Sequence, residues 1–246
     1  YLVDAGPGVV RRAAAAAAKH GISGLGARNL GVVFLTHLHS DHTVGLPDVM
    51  HTGWVAERPV PLKVFGPKGT GRMVEHLQRA WSEDIRIRVE GLQPIPPEGW
   101  KVDATEISAG VVYQDSNVVV RAFRVSHPEW EYSYGYRFEA ADRTVVVSGD
   151  TGPSDAVVDA CNGCDVLVHE VYSAKRFLTI TLDWQAYHIL AHTSTTDLAD
   201  LATRARPGLL VLYHQLYWGT DDAGMLAEVM ARYQGRVVSG RDLDIY

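Results

Sequence analysis

Five short runs of β-branched and apolar residues in this chain each end just before side chains of the kinds that bind metal ions. In α/β folds, ligand sites gather where loops leave the ends of strands on a rigid sheet. One polar site assembled from several strand ends is therefore the simplest interpretation. The residues that follow the five runs are His37, His39, Asp41 and His42, then His127, then Asp150, then His169 and Glu170, and finally His214.

The order of the predicted elements favours an α/β fold. The Ala-rich segment 11–20 predicts a helix, because Ala is the best helix former, while runs such as 31–36 and 143–148 predict buried strands. Helices and strands alternate in the manner of sheets covered by helices. The Pro-rich segment 93–99 predicts a turn rather than a linker, since strand-like residues lie on both sides. We therefore assign residues 1–246 to a single domain.

Charge and hydropathy restrict the partners of the chain. Lys and Arg number 23 and Asp and Glu 29, which gives a net charge of −6. This balance argues against a broad basic surface and hence against a nucleic-acid partner. No apolar run reaches the roughly 18 residues of a membrane helix, so we expect no membrane partner. The charge balance does not exclude a local basic patch.

The hexapeptide 37–42 holds four ligand-type side chains in six residues. Without a cation, such a cluster would carry a large desolvation penalty. Imidazole and carboxylate together suit Zn²⁺, Fe or Mn better than metals that prefer thiolate. His37 and His39 would lie on one side of an extended chain, while Asp41 and His42 can address a second ion. An exposed His-rich loop is the alternative, which the matching strand-end residues disfavour.

The two cysteines of the chain allow more than one interpretation. Cys161 and Cys164 form a lone C-x-x-C pair, and a structural zinc site needs four ligands. We expect two ordinary thiols at a helix end, with a short-range disulfide as the alternative.

The chain starts at Tyr1 with no Met and no leader. We expect residues upstream of it, so a cytoplasmic and an exported (periplasmic) location both stay open.

The motifs together resemble those of the metallo-β-lactamase superfamily. The pattern H-x-H-x-D-H stands at residues 37–42, after the Asp of LVDAG at position 4 and before Gly149-Asp150-Thr151. His127 and His214 match the single His residues of the family pattern. The segments 148–155, 169–170 and 192–195 are similar to the ribonuclease Z-like branch. Residues 36–54 look most like its arylsulfatase and phosphodiesterase members.

This resemblance implies a four-layer αββα sandwich with two metal ions, and strands before Asp4 that this chain does not show. The ions would be Zn²⁺, with Mn²⁺ or Fe as alternatives, and a homodimer is expected by the same resemblance. Asp4 would brace the His loop. His37, His39 and His127 would hold one ion, and Asp41, His42 and His214 would hold the other, while Asp150 would bridge the two ions. The resemblance also implies three catalytic residues: His192 as the proton donor, Glu170 as the carboxylate that orients it, and Asp41.

These residues predict a hydrolase. Two ions about 3.5–4 Å apart can share a water and lower its pKa to about 7, which yields a hydroxide nucleophile at neutral pH. We expect cleavage of phosphodiester or sulfate ester bonds in small aryl or nucleotide-like substrates. The alternatives are a ribonuclease Z-type tRNA 3′-end endonuclease, which we expect to need a basic clamp, a lactone or β-lactam hydrolase, and a non-catalytic metal-binding sensor.

The segment 172–190 lies between two of the site motifs and is rich in aromatic residues. An aromatic loop there would line a pocket for an aryl or nucleoside group. Rings packed under the loop or at an oligomer interface are an equal alternative. The aromatic residues of this segment are Tyr172, Phe177, Trp184 and Tyr187.

Overall fold

A parallel four-stranded sheet organises the first part of the chain in the computed structural model, which describes residues 1–246. Residues 1–107 and 242–246 form one compact unit, the N-terminal unit, and residues 108–241 form a second, the C-terminal unit. The sheet order in the N-terminal unit is β1-β2-β3-β4, with all neighbouring strands parallel. The strands are β1 (Leu2–Val3), β2 (Val32–Phe34), β3 (Leu62–Gly66) and β4 (Val102–Glu106).

Five helices accompany this sheet, and their apolar faces build the core of the N-terminal unit. Val33, Leu35 and Val64 from the sheet region pack with Leu46 and Met50. The first helix ends where Gly21 takes a left-handed conformation with φ of 68°, which glycine adopts without penalty. The helices are α1 (Val9–His20), α2 (Ser40–Thr43), α3 (Leu46–Val55), α4 (Thr70–Ala80) and α5 (Ser82–Glu90).

Seven strands form the sheet of the C-terminal unit, in the order β11-β10-β9-β8-β7-β6-β5. The pairs from β5 to β8 are antiparallel, and those from β8 to β11 are parallel. Since β6 and β8 are each antiparallel to β7, the carboxyl ends of β6, β8, β9 and β10 lie at one edge. The strands are β5 (Gly110–Gln114), β6 (Val118–Arg124), β7 (Tyr134–Ala140), β8 (Thr144–Val147), β9 (Val166–Tyr172), β10 (Leu209–Leu216) and β11 (Val237–Ser239).

The core of the C-terminal unit lies between the parallel strands and three of its helices. Leu167 and Leu210 from β9 and β10 pack with Val157, Leu198 and Met225. No helix in the structure is both long and apolar enough to cross a membrane. The helices of this unit are α6 (Asp155–Cys161), α7 (Ala174–Phe177), α8 (Leu182–Ala191), α9 (Thr195–Ala205) and α10 (Asp222–Met230).

Two local expectations from the sequence are corrected by the structure. Strand-like residues before the turn at 93–99 form helix α5, in which Ile85 is buried while Ile87 and Val89 are exposed. Cys161 and Cys164 form a disulfide with a Cα–Cα distance of 4.7 Å, so the expectation of two thiols is wrong and its alternative is confirmed. The intervening residues 162 and 163 both have positive φ and turn the chain back at the end of α6.

Candidate metal centre and active site

The loop after β2 brings imidazole nitrogens together in the N-terminal unit. Nε2 of His37 lies 2.9 Å from Nδ1 of His39, and the ring of His37 lies 4.3 Å from the ring of His42, centroid to centroid. His37 and His42 are buried, and Oδ2 of the exposed Asp41 lies 3.5 Å from Nε2 of His42. All four ligand-type residues of the hexapeptide therefore belong to one small cluster, as the sequence predicts.

Asp4 determines which nitrogens of this cluster carry protons. Its Oδ2 lies 2.7 Å from Nδ1 of His42, and its two oxygens accept hydrogen bonds from the backbone N–H and the hydroxyl of Thr36. Because the Thr36 hydroxyl donates to Asp4, its oxygen is left to accept from Nδ1 of His37, 3.0 Å away. Both imidazoles thus carry the proton on Nδ1 and present an Nε2 lone pair, the form in which His binds metals.

Backbone geometry places Asp4 beside the His loop. Asp4 has a φ of 60°, a left-handed conformation that Asp tolerates better than most residues. The next residue, Ala5, is bonded to the loop from both sides: its N–H donates to the carbonyl of His42, and its carbonyl accepts from Gly45. A Cβ at Gly45 would lie 2.2 Å from the carbonyl oxygen of Gly6, so only glycine permits this approach.

The C-terminal unit gathers its ligand-type side chains from separate strand ends. Asp150 follows β8 and is buried, with only 3% of its surface exposed. Its Oδ2 lies 3.4 Å from Nε2 of His214 and 3.9 Å from Nδ1 of His192. One ligand atom from each of His127, Asp150 and His192 lies within 4.8 Å of the others, and the same holds for Glu170, His192 and His214. The strand ends therefore converge within this unit as expected.

His214 owes its position to an irregularity in β10. The register against β9 shifts between Tyr213 and Gln215, which makes His214 the extra residue of a bulge. Its φ of 47° is left-handed and strained for a non-glycine residue. Bulges of this kind redirect a side chain at the edge of a sheet. The sequence predicts a strand that ends before His214, whereas the structure continues it to Leu216.

A buried carboxylate holds His192 in place. Oε2 of Glu170 lies 3.3 Å from Nδ1 of His192, and Oε1 accepts a 2.7 Å hydrogen bond from the backbone N–H of Thr193. Burial, and then the negative charge of Asp150, raise the pKa of Glu170 well above its ordinary value. Asp150 and Glu170 are both buried and both lie beside Nδ1 of His192, and a cation bound nearby would stabilise their ionised forms.

The donor set fits the metal ions predicted from the sequence. Imidazole nitrogens and carboxylate oxygens are the ligand-type atoms in both units, and the disulfide removes the cysteines from consideration. His127 is also prepared as a ligand, because its Nδ1 lies 3.2 Å from the carbonyl of Pro128 and leaves Nε2 for coordination. Such a set suits Zn²⁺, Mn²⁺ or Fe.

Sequence reasoning missed two residues of the site. The hydroxyl of Thr36 links Asp4 to His37, and the only sequence signal for it is a hydroxyl residue at the end of a strand before the motif. The ring of His188 lies 5.2 Å from that of His192. The segment around it folds as the helices α7 and α8 rather than as a loop.

Comparison with known proteins defines the family. Residues 1–215 match the family described as beta-lactamase superfamily domain. Ribonuclease Z of Mycobacterium bovis is 34% identical over 253 residues, which cover 99% of this chain and 86% of the relative. Ribonuclease Z of Mycolicibacterium gilvum is 35% identical over 254 residues, with coverage of 99% and 84%. The chain therefore belongs to the metallo-β-lactamase superfamily, in its ribonuclease Z-like branch.

Solved structures agree on the fold. The metallo-β-lactamase fold protein YhfI from Bacillus subtilis matches with a TM-score of 0.70 at 17% identity, covering 98% of this chain and 85% of that one. The short form of human tRNase Z matches with a TM-score of 0.67 at 21% identity, with the same coverage. The α/β class with two sheets flanked by helices is thus confirmed, and the chain is a metal-binding hydrolase.

One expectation is wrong. The net charge argued against a nucleic-acid partner, and the motif resemblance favoured a small-molecule substrate, but the similar relatives over nearly the whole chain are ribonucleases. A net charge sums over the entire surface, so it does not exclude a local site for a polyanion. The relatives support the ribonuclease Z alternative better than the small-molecule reading, and none of them supports an arylsulfatase.

Proposed function

We propose that this chain is a metal-dependent endonuclease of the ribonuclease Z type, which hydrolyses a phosphodiester bond at the 3′ side of tRNA within a precursor. The observation that carries this proposal is the identity of 34% to a ribonuclease Z across 99% of the chain, which includes all the site residues described above. RNA cleavage is itself the hydrolysis of a phosphodiester, so this activity keeps the bond type that the sequence predicts.

The metal ligands proposed are those of the family motif. His37, His39 and His127 are assigned to one ion, Asp41, His42 and His214 to the other, and Asp150 to both. Support comes from the Nε2 lone pairs that Asp4 imposes on His37 and His42, and from the buried carboxylate of Asp150. When bound, two Zn²⁺ ions lower the pKa of water and offset charge on the phosphoryl oxygens.

His192 is assigned as the proton donor to the ribose oxygen that leaves when the P–O bond breaks. A ribose alkoxide is a poor leaving group, so protonation at this oxygen accelerates the step. Glu170 accepts the Nδ1 hydrogen of His192. As the acid, the imidazole carries a second proton on Nε2, and this proton passes to the leaving oxygen. The hydrogen bond from Thr193 fixes the carboxylate, so the imidazole is held in one orientation.

The test is a cleavage assay on the metal-loaded protein. A 5′-labelled tRNA precursor with a 3′ trailer should be cut at one site, and the tRNA part should carry a 3′-hydroxyl. An unstructured RNA of the same length and composition serves as the control and should be cut far more slowly. Hydrolysis of bis(p-nitrophenyl) phosphate without any cleavage of the precursor would contradict the assignment to tRNA.

A further inference from the structure

Four aromatic rings form a row that runs from the sheet edge of the C-terminal unit to the surface. The row consists of Trp184, His188, His192 and His214, and we call it the ring row. Successive ring centroids are 5.4, 5.2 and 5.7 Å apart. Neighbouring planes are inclined by 26°, 38° and 15°. The row thus leads from residues of the proposed active site to an exposed indole.

Helix α8 creates this arrangement. Trp184 and His188 are four residues apart and share one face of the helix, and His192 follows directly after the helix ends at Ala191. The ring of Tyr187 packs near two rings of the row, with centroid distances of 5.9 Å to Trp184 and 6.1 Å to His192. The indole of Trp184 therefore rests on His188 with one side, while the residue remains 56% exposed.

A ring from outside α8 also packs against His188. The ring of Trp218 lies 4.9 Å from that of His188, and Trp218 itself packs against Tyr172 and Phe177. The inner part of the ring row is thus supported by a packed aromatic cluster. A rigid, exposed indole on such a support loses little conformational freedom when a flat ligand stacks on it.

Positive charge lies beside this aromatic cluster. Lys175 and Arg176 of α7 are exposed, and the guanidinium of Arg176 donates to the carbonyls of Trp218 and Gly219. Asp183 is an acidic neighbour on α8 and is exposed. The combination of an exposed ring and adjacent cations is the kind of surface that binds single-stranded nucleic acid.

We propose that Trp184 is a stacking subsite for an unpaired nucleobase next to the scissile phosphodiester, with Lys175 and Arg176 near the flanking phosphates. This inference rests on the proposed function, because the ring row includes His192, the proposed proton donor, and ends at His214, a proposed metal ligand. A base inside a duplex has both faces covered, whereas an unpaired base presents one to an indole. The subsite therefore selects single-stranded nucleotides at the cut rather than the paired stem.

The opposite face of α8 is a candidate site for a different partner, a second copy of the chain, and the experiment distinguishes that partner from RNA. Leu182, Ile189 and Leu190 are exposed there, with 55% of Ile189 accessible. A second copy of the chain bound to this face would bury it without any stacking on Trp184. Ile189→Ala is consequently a matched control, since it removes apolar surface from the same helix but not from the ring row.

Binding of a fluorescein-labelled, single-stranded oligoribonucleotide to the metal-free protein tests the subsite by anisotropy. We expect Trp184→Leu to raise the Kd about ten-fold, the loss of one stacked base, and Trp184→Phe to stay within about three-fold of wild type. An abasic oligonucleotide should bind wild type and Trp184→Leu equally. Ile189→Ala should bind like wild type, and wild-type tryptophan fluorescence should be quenched by the oligonucleotide.

Equal Kd values for wild type and Trp184→Leu would overturn the subsite. So would a drop in molecular mass on size exclusion in both Trp184→Leu and Ile189→Ala, because that result assigns the helix to self-association. Failure of the proposed function is a separate result: the precursor stays uncut while base-dependent binding to Trp184 persists. If the precursor is cleaved but Trp184→Leu changes neither Kd nor KM, the subsite is contradicted while the proposed function stands.

Discussion

The two units of this protein present their ligand-type residues in different ways. In the N-terminal unit, four such residues lie within the hexapeptide 37–42, and a single carboxylate, Asp4, orients two of the imidazoles. In the C-terminal unit, the residues come from four separate strand ends and from the end of a helix. The first arrangement is local in sequence, and the second depends entirely on the pairing of strands.

The electrostatic character of the two sets differs as well. Asp41 in the N-terminal set is 59% exposed in its side chain, so water screens its charge. Asp150 and Glu170 in the C-terminal set are buried, and the pKa of Glu170 is raised, first by burial and then by Asp150. The C-terminal set therefore depends more on a bound cation, because its carboxylates have little water to stabilise them.

Removal of ligands should have the largest effect and should separate the two sets. We expect Asp150→Ala and His39→Ala each to lower kcat/KM on the tRNA precursor by at least about 10³-fold, since both disturb the metal centre. Elemental analysis should show two ions lost in Asp150→Ala and one in His39→Ala. Equal metal content in the two variants would remove the special role assigned to Asp150.

Loss of the proton donor should come next. We expect His192→Ala to keep both ions and to lower kcat by about 10²–10³-fold on RNA, whose leaving oxygen needs a proton. Aryl phosphodiesters with acidic phenols as leaving groups should be affected much less. A uniform slowing across a series of leaving-group pKa values would show that His192 does not act as the acid.

Asp4 tests the local arrangement of the N-terminal unit. We expect Asp4→Asn to weaken metal binding about 10–100-fold, because the amide no longer sets the tautomers of His37 and His42. Thr36→Val is the matched control, since it removes the hydroxyl that contacts His37 and Asp4 but leaves Asp4 beside His42, and it should give a smaller loss. Competition with a metallochromic chelator measures both affinities, and unchanged affinity in Asp4→Asn would contradict this role.

The smallest expected effect concerns a buried histidine of the C-terminal unit. Burial lowers the pKa of His169 to about 4, and its Nδ1 is bonded to the carbonyl of Glu170. Below the unfolded-state pKa of about 6.5, His169 is protonated in the unfolded chain but stays neutral in the folded chain. The stability is therefore intact above about pH 6.5 and falls as the pH drops towards 4.

Urea unfolding of the metal-free protein measures this contribution. Between pH 7 and pH 5, we expect wild type to lose about 2 kcal/mol through His169, and we expect His169→Asn to lose correspondingly less. His76→Asn, at an exposed position on α4, serves as the control and should follow wild type. A pH dependence that His169→Asn leaves unchanged would show that the imidazole is not the titrating group.

Two helices show where sequence patterns misled. Residues 85–89 read I-R-I-R-V, an alternation typical of a strand, yet they form part of α5 with only Ile85 buried. Helix α8 exposes apolar residues on its outer face and aromatic ones on its inner face, so it lacks the single apolar stripe by which helices are recognised. The strands of the C-terminal sheet were predictable because their β-branched runs are buried and continuous.

The kinds of donor atoms, their order along the chain and the family could be predicted from the amino-acid sequence, because strand ends and the motif at 37–42 are local patterns. Three features required the folded structure: the protonated nitrogen of His37, the strained backbone of His214 and the raised pKa of Glu170. Each of these depends on residues that are distant in sequence: Asp4 and Thr36, for example, are 32 positions apart. Proton positions and pKa values follow from such contacts and from burial, which a linear pattern does not specify.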